Sequence, residues 1–115
     1  MMNESPLFVR TYELVLWLLP QTQNFPRAYR FSMAERLQRL VLDFQDSLVG
    51  AGKSRGEERR HWLARADLQI AQLRVLVRLA RDMHLLTISR YEHAARMLVE
   101  VGRLLGAWIK QNKPD

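Results

Sequence analysis

The run from Glu57 to Met83, EERRHWLARADLQIAQLRVLVRLARDM, repeats its apolar side chains in steps of three and four. Leu63, Ala66, Ile70, Leu73, Val77 and Ala80 therefore share one face of a long helix, which has to be buried against other elements. Arg74, Arg78 and Arg81 recur with the same steps on a different face, where about 10 Å of helix separates the first from the last. That spacing can track successive negative charges on a polyanion, although a charged stripe on an amphipathic helix is more often simply its solvated side. Leu68, Val75 and Leu79 form a second apolar line beside the core stripe. A face that wide implies burial in a neighbouring subunit as well as within the protomer.

Charge concentrates on this same element. From Lys53 to Arg81 inclusive there are eight basic residues, Arg59 and Arg60 among them, against the acidic Glu57, Glu58 and Asp67. The whole chain carries +6, and lysine occurs only at Lys53, Lys110 and Lys113. Arginine presents a planar fork of donors matched to phosphate or carboxylate, so the bias favours an acidic or nucleic-acid partner. With 115 residues and 48% hydrophobic composition, one domain spanning 1–115 with a single core is expected. The absence of cysteine excludes disulfides and thiolate metal sites and is compatible with a reducing cytoplasm. The longest apolar run, Leu14 to Leu19, is far too short to span a membrane, and nothing at the start has the form of a secretion signal. A cytoplasmic location without membrane attachment is the expectation.

The remaining segments read as three further helices. Ser5 and Pro6 form a cap and first position for a helix over about 7–19, expected to stop before Pro20. Its LVLWLL run is apolar around most of the circumference. The connection QTQNFPRAYRF, residues 21–31, interleaves Phe25, Tyr29 and Phe31 with Arg27 and Arg30. Aromatics between arginines can stack bases while the arginines hold phosphates; the competing expectation is that Phe25 and Phe31 fold inward to cap the core.

Ser32 and Glu35 read as a capping box opening a helix over about 32–49, with Leu37, Leu40, Val41, Phe44 and Leu48 buried and Gly50 and Gly52 ending it. GAGKSRG, residues 50–56, has only the Gly52, Lys53, Ser54 part of a phosphate-cradling loop and follows a helix, so an interhelical turn is expected. Ser54 with Glu57 and Ser89 with Glu92 repeat the capping-box pattern for helices over about 57–83 and 90–111. The last helix is expected to bury Tyr91, Ala95, Leu98, Gly102, Leu105 and Ile109, with Arg96, Arg103 and Lys110 at heptad spacing on another face. Gly102 and Gly106 each cost about 1 kcal/mol of helix propensity, which marks a close approach inside the bundle or across an interface. Four amphipathic helices with short connections make an all-α, antiparallel up-and-down four-helix bundle.

Catalytic signals are sparse. His61, His84 and His93 are not paired at ligand spacing, and no Glu-x-x-His pair or nucleophile motif is present, so neither a metal nor a cofactor is expected. Arg78 with His84 has the R-x5-H form of helical ribonucleases of the HEPN type, but Arg55 with His61 matches equally well. A small metal-independent ribonuclease therefore stands as an alternative, and a purely structural bundle as another.

Two segments, ARADLQIAQLRVLVRLA at 64–80 and EVGRLLGAWI at 100–109, together with AGKS at 51–54, resemble Avd, the accessory variability determinant of diversity-generating retroelements. FPRAYRF at 25–31 is similar to that family's connection between its first two helices, and the likeness runs from about Tyr12 to Ile109. Related bundles encoded within ribosomal RNA intervening sequences carry an asparagine-isoleucine-x-glutamate-glycine motif after the second helix, which is missing here.

The resemblance implies a non-enzymatic four-helix protomer in a basic homopentamer. It also implies association with a reverse transcriptase and with RNA or DNA of low sequence specificity, in support of mutagenic copying of a template repeat into a variable gene. It further implies that Arg74 and Arg78, in L-R-x-x-x-R context, are functional, and that Arg103, in the G-R pair, is another carrier or an intersubunit contact. Arg81, Arg96, Arg59, Arg60, Arg27 and Arg30 complete the expected binding set, and Leu68, Val75, Leu79, Gly102 and Gly106 the expected oligomer interface.

Overall fold

A computed structural model describes residues 5–114. Ser5 caps the first helix, its hydroxyl oxygen accepting from the Phe8 amide at 3.4 Å, and Pro6 occupies the opening turn where its missing N–H costs nothing. This helix, α1, runs Pro6–Gln23. α2 spans Glu35–Lys53, α3 Gly56–Asp82 and α4 Ile88–Gln111. Each packs on its neighbours in the order α1, α2, α3, α4 and back to α1, forming a four-helix bundle within an envelope of 47 × 24 × 23 Å. Among the described residues there is no strand.

Cross-helix contacts show the up-and-down path. Phe8 near the start of α1 meets Trp108 near the end of α4 edge-on, with ring centroids 6.0 Å apart, and Trp17 meets His93 at 4.7 Å. The Ser47 hydroxyl donates to Gln69 Oε1 at 2.7 Å, and Gln38 Nε2 donates to Thr22 Oγ1 at 2.8 Å. These bonds fix the register of α2 against both neighbours. Between them lies a core of Leu14, Leu18, Leu37, Phe44, Leu48, Leu63, Leu73, Leu98 and Leu105, all essentially inaccessible.

Pro20 lies inside α1 rather than beyond it. The carbonyl it cannot bond belongs to Leu16, and both residues are exposed. The lost hydrogen bond therefore faces water, which can replace it. The helix instead ends at Asn24, and buried Phe25 closes the core beneath it.

None of the three S-x-x-E patterns acts as a capping box. At Ser32 the chain is already wound, as a 3₁₀ turn over Arg27–Tyr29 and a π turn over Arg30–Ala34 that passes directly into α2. With no orphan amides to satisfy, the Ser32 hydroxyl donates back to the Tyr29 carbonyl. Ser54 likewise donates to the Gly50 carbonyl at 2.7 Å, and the cap of α3 is Arg55, followed by Gly56 at φ +57. α4 is capped by Thr87, whose hydroxyl accepts from the Arg90 amide at 3.1 Å, two residues ahead of Ser89.

Gly50 does not terminate α2, which continues to Lys53. A Cβ there would stand 2.5 Å from the Trp62 ring, so the glycine admits the indole of α3 against the backbone of α2. α3 stops without glycine. His84 takes the left-handed conformation at φ 61, while the amides of His84 and Leu85 donate to the Arg81 and Ala80 carbonyls.

On α4 the buried line is Ala94, Leu98, Val101 and Leu105. Tyr91, Ala95, Gly102 and Ile109 flank it half-buried, so the buried stripe is rotated by about one residue from the expected one. Phe31, expected inward, is exposed, because Phe25 already fills the end of the core.

Candidate polyanion-binding face

The steps of three and four that place Arg74 and Arg78 beside the core stripe of α3 turn them toward α4. There they line an open groove of about 300 Å³ with Val75, Val77, Tyr91, Ala95, Leu98 and Val99. Arg74 reaches across the groove. Its Nη2 donates to the Leu98 carbonyl at 3.5 Å, over the surface of Gly102, where any Cβ would overlap the guanidinium. The close approach marked by Gly102 is thus made by a side chain of the same protomer. Gly106 faces open space, with no atom within 4 Å of the point where a Cβ would stand.

Among the described residues neither Arg74 nor Arg78 has a carboxylate within salt-bridge reach. Arg81 differs. It stacks over the Tyr91 ring at 4.5 Å and pairs with Asp82 at 2.9 Å, which removes part of its charge from the groove.

The other expected arginines disperse. Arg103, on the exposed side of α4, forms two hydrogen bonds to Glu100, at 2.7 and 3.2 Å. The Arg103 guanidinium holds the Glu100 carboxyl below its ordinary value, and Glu100 in turn raises the pKa of Arg103. Arg96 lines a depression on the α1–α4 side with Arg10, Glu13, Met97 and Glu100, apart from the groove.

Arg59 is anchored at the opposite end of the bundle from the α3–α4 turn. Its Nε donates to the Ala51 carbonyl at 2.9 Å, capping the last turn of α2, and its guanidinium lies 5.5 Å from the centre of the Trp108 ring. Arg60 is half-buried in the first turns of α3. Arg27 and Arg30 are exposed in the α1–α2 connection, which the up-and-down path puts at the same end as the α3–α4 turn. The structure therefore gathers Arg74 and Arg78, with Arg81 adjoining, and leaves Arg96, Arg103, Arg59, Arg60, Arg27 and Arg30 outside the groove.

Leu68, Val75 and Leu79 are exposed on α3, with Val75 also lining the groove. Sequence reasoning did not find Val99 and Ile88, which add exposed apolar surface on α4, or Tyr91 as the stacking partner of Arg81. Nothing in local spacing signals that pairing, because it crosses the α3–α4 turn.

An arginine pair on an apolar floor, flanked by an aromatic, is suited to hold anionic groups by charge-assisted hydrogen bonds beside partly apolar surface. No group of three or more His, Asp or Glu side chains among the described residues is placed to hold a metal ion. The ribonuclease pattern pairs Arg78 with His84, but the depression lined by His84 is shared with Arg81, Asp82 and Thr87 instead.

A protein-family model described as bAvd-like matches residues 7–112, which takes in all four helices but for the first residue of α1, and every residue of the groove. The chain belongs to the bAvd-like family. It is accordingly an Avd-like accessory protein built as a four-helix bundle. No curated protein matches the chain significantly. No helix among its described residues is long and apolar enough to cross a membrane.

Proposed function

We propose that this bAvd-like chain is a non-enzymatic accessory protein of a diversity-generating retroelement. It docks the element's reverse transcriptase and RNA or DNA, with little sequence preference, in support of mutagenic retrohoming. The observation that carries the reading is the α3–α4 groove, where Arg74 and Arg78 stand without carboxylate partners among the described residues. Family membership supplies the retroelement, and the groove supplies the chemistry. Contacts to phosphates release counterions, so affinity falls steeply with salt and depends weakly on base sequence.

The reading extends to a homo-oligomer, taken as a pentamer. α1 and α3 lie on a diagonal of the bundle, so the exposed apolar line of α3 and that of α1, Val9, Tyr12 and Leu16, point away from each other. Two different apolar faces on opposite sides suit head-to-tail contacts that close into a ring.

Binding of labelled single-stranded RNA and of purified reverse transcriptase to the wild type and to an Arg74→Ala, Arg78→Ala double variant tests the proposal. Weakened binding with helicity unchanged is expected, and unchanged binding discards the assignment. Scattering mass in solution tests assembly. Leu68→Asp, outside the groove, is expected to reduce an oligomer to protomers, and a monomeric wild type contradicts the ring.

A further inference from the structure

Phe31 is 83% exposed, more than any other large hydrophobic side chain among the described residues. The core does not call for it, since Phe25 at 8% exposure closes the same end of the bundle. Its exposure follows from the winding. The π turn Arg30–Ala34 buries Met33 and Ala34, and the opposite side of that turn carries Phe31 into solvent. Widened turns of this kind frequently occur at functional sites.

The exposed residues on either side of Phe31 in the sequence are mostly cationic, and none is a large apolar group. Arg27, Ala28, Arg30, Ser32 and Arg36 are all exposed. Between Glu13 and Glu35 the sequence has no acidic residue, and Glu35 is engaged by Arg39 at 2.9 Å. A protein-binding anchor is expected to sit amid other apolar groups that exclude water, whereas this ring stands among arginines. A free aromatic face next to phosphate-binding side chains is the arrangement by which proteins hold unpaired bases.

We infer that Phe31, flanked by Arg27 and Arg30, is a base-stacking platform for a single-stranded polynucleotide. A duplex keeps its base faces covered by stacking, so only an unpaired strand offers the ring a partner. The platform lies at the bundle end to which the C-terminus of α3 leads. A strand held by Arg74 and Arg78 can thus leave the groove there, and in this respect the inference rests on the nucleic-acid part of the function proposed above.

The test compares two fluorescently labelled strands of equal length and charge, an oligouridylate and a fully abasic oligomer, binding to the full chain by anisotropy. Phe31→Ala and Phe31→Leu are expected to weaken the base-bearing strand about tenfold and to leave the abasic strand within about twofold, while Phe31→Trp retains wild-type binding. An Arg27→Ala, Arg30→Ala variant is expected to weaken both strands. Loss of affinity for both strands on replacing Phe31, or no loss for either, overturns the platform while leaving the groove reading intact. A wild type that binds neither strand overturns both.

Discussion

The groove between α3 and α4 and the groove between α1 and α2 lie on opposite sides of the bundle and share an apolar, aromatic lining. Tyr91, Val75 and Val99 line the first; Phe8, Val9, Tyr12 and Val49 line the second. Their charged residues have opposite sign. Arg74 and Arg78 flank the α3–α4 groove, and Glu13 and Asp46 flank the other. The net charge of +6 is therefore a poor guide to where an anion will bind. An anionic partner is attracted to the first side and finds no cation on the second, where Asp46 stands beside a Glu13 already paired with Arg10 at 2.6 Å, so placement rather than total charge sets recognition.

The largest expected effect comes from reversing that placement. Arg74→Glu with Arg78→Glu should lower polyanion affinity about 100-fold near physiological salt, since two attractive contacts become repulsive. Glu13→Gln with Asp46→Asn should change it by no more than about threefold. Equal effects in anisotropy titrations would show that net charge governs binding and that the two sides are not distinct.

The two glycines of α4 sharpen the comparison. Replacing either by alanine should add about 1 kcal/mol of helix stability. Gly102→Ala also drives the Arg74 guanidinium from its seat, and a several-fold loss of polyanion binding should accompany the gain. Gly106→Ala meets open space and should raise the melting temperature with binding to the groove unchanged. Thermal unfolding and anisotropy on the same samples read both quantities.

A smaller effect is expected at His84, where a side chain occupies left-handed backbone that glycine accepts freely. His84→Gly should stabilise the fold by about 0.5–1 kcal/mol in denaturant unfolding. Incubating the wild type with RNA in a chelator should give no cleavage, whereas cleavage that disappears in His84→Gly would favour the ribonuclease reading.

The smallest effect is electrostatic. Arg103 lowers the pKa of Glu100, so their pairing contributes above the ordinary carboxyl value of 4.5 and is lost as pH falls through the depressed one. Both groups are solvated, so only a slight additional fall in melting temperature is expected below pH 4.5, absent from Glu100→Gln.

Long-range periodicity made the bundle legible in the sequence. Leu63, Ala66, Ile70, Leu73, Val77 and Ala80 are the buried residues of α3, and the exposed line of Leu68, Val75 and Leu79 was equally readable. Most helix ends were not, the Ser5–Pro6 start of α1 excepted. A serine three residues before a glutamate is a cap only if the chain starts winding there, and at Ser32 it is already wound. Pro20 stays helical because its unbonded carbonyl partner faces solvent, a tertiary circumstance that local sequence does not carry.

The arginines were legible as a set but not in their roles. Arg59 caps α2, Arg81 stacks on Tyr91, and Arg103 pairs with Glu100, each through a partner outside the periodic pattern that nominated it. Arg74 and Arg78 are left together because the residues facing them from α4 are Tyr91, Ala95, Leu98 and Val99, none of which is acidic.

The most direct test of this account is the salt dependence of single-stranded RNA binding, measured for the wild type and for the Arg74→Ala, Arg78→Ala variant. If both guanidinium groups neutralise phosphates, the slope of log affinity against log salt should become shallower by about 1.4 in the variant. Parallel slopes would mean that the α3–α4 groove does not hold the polyanion.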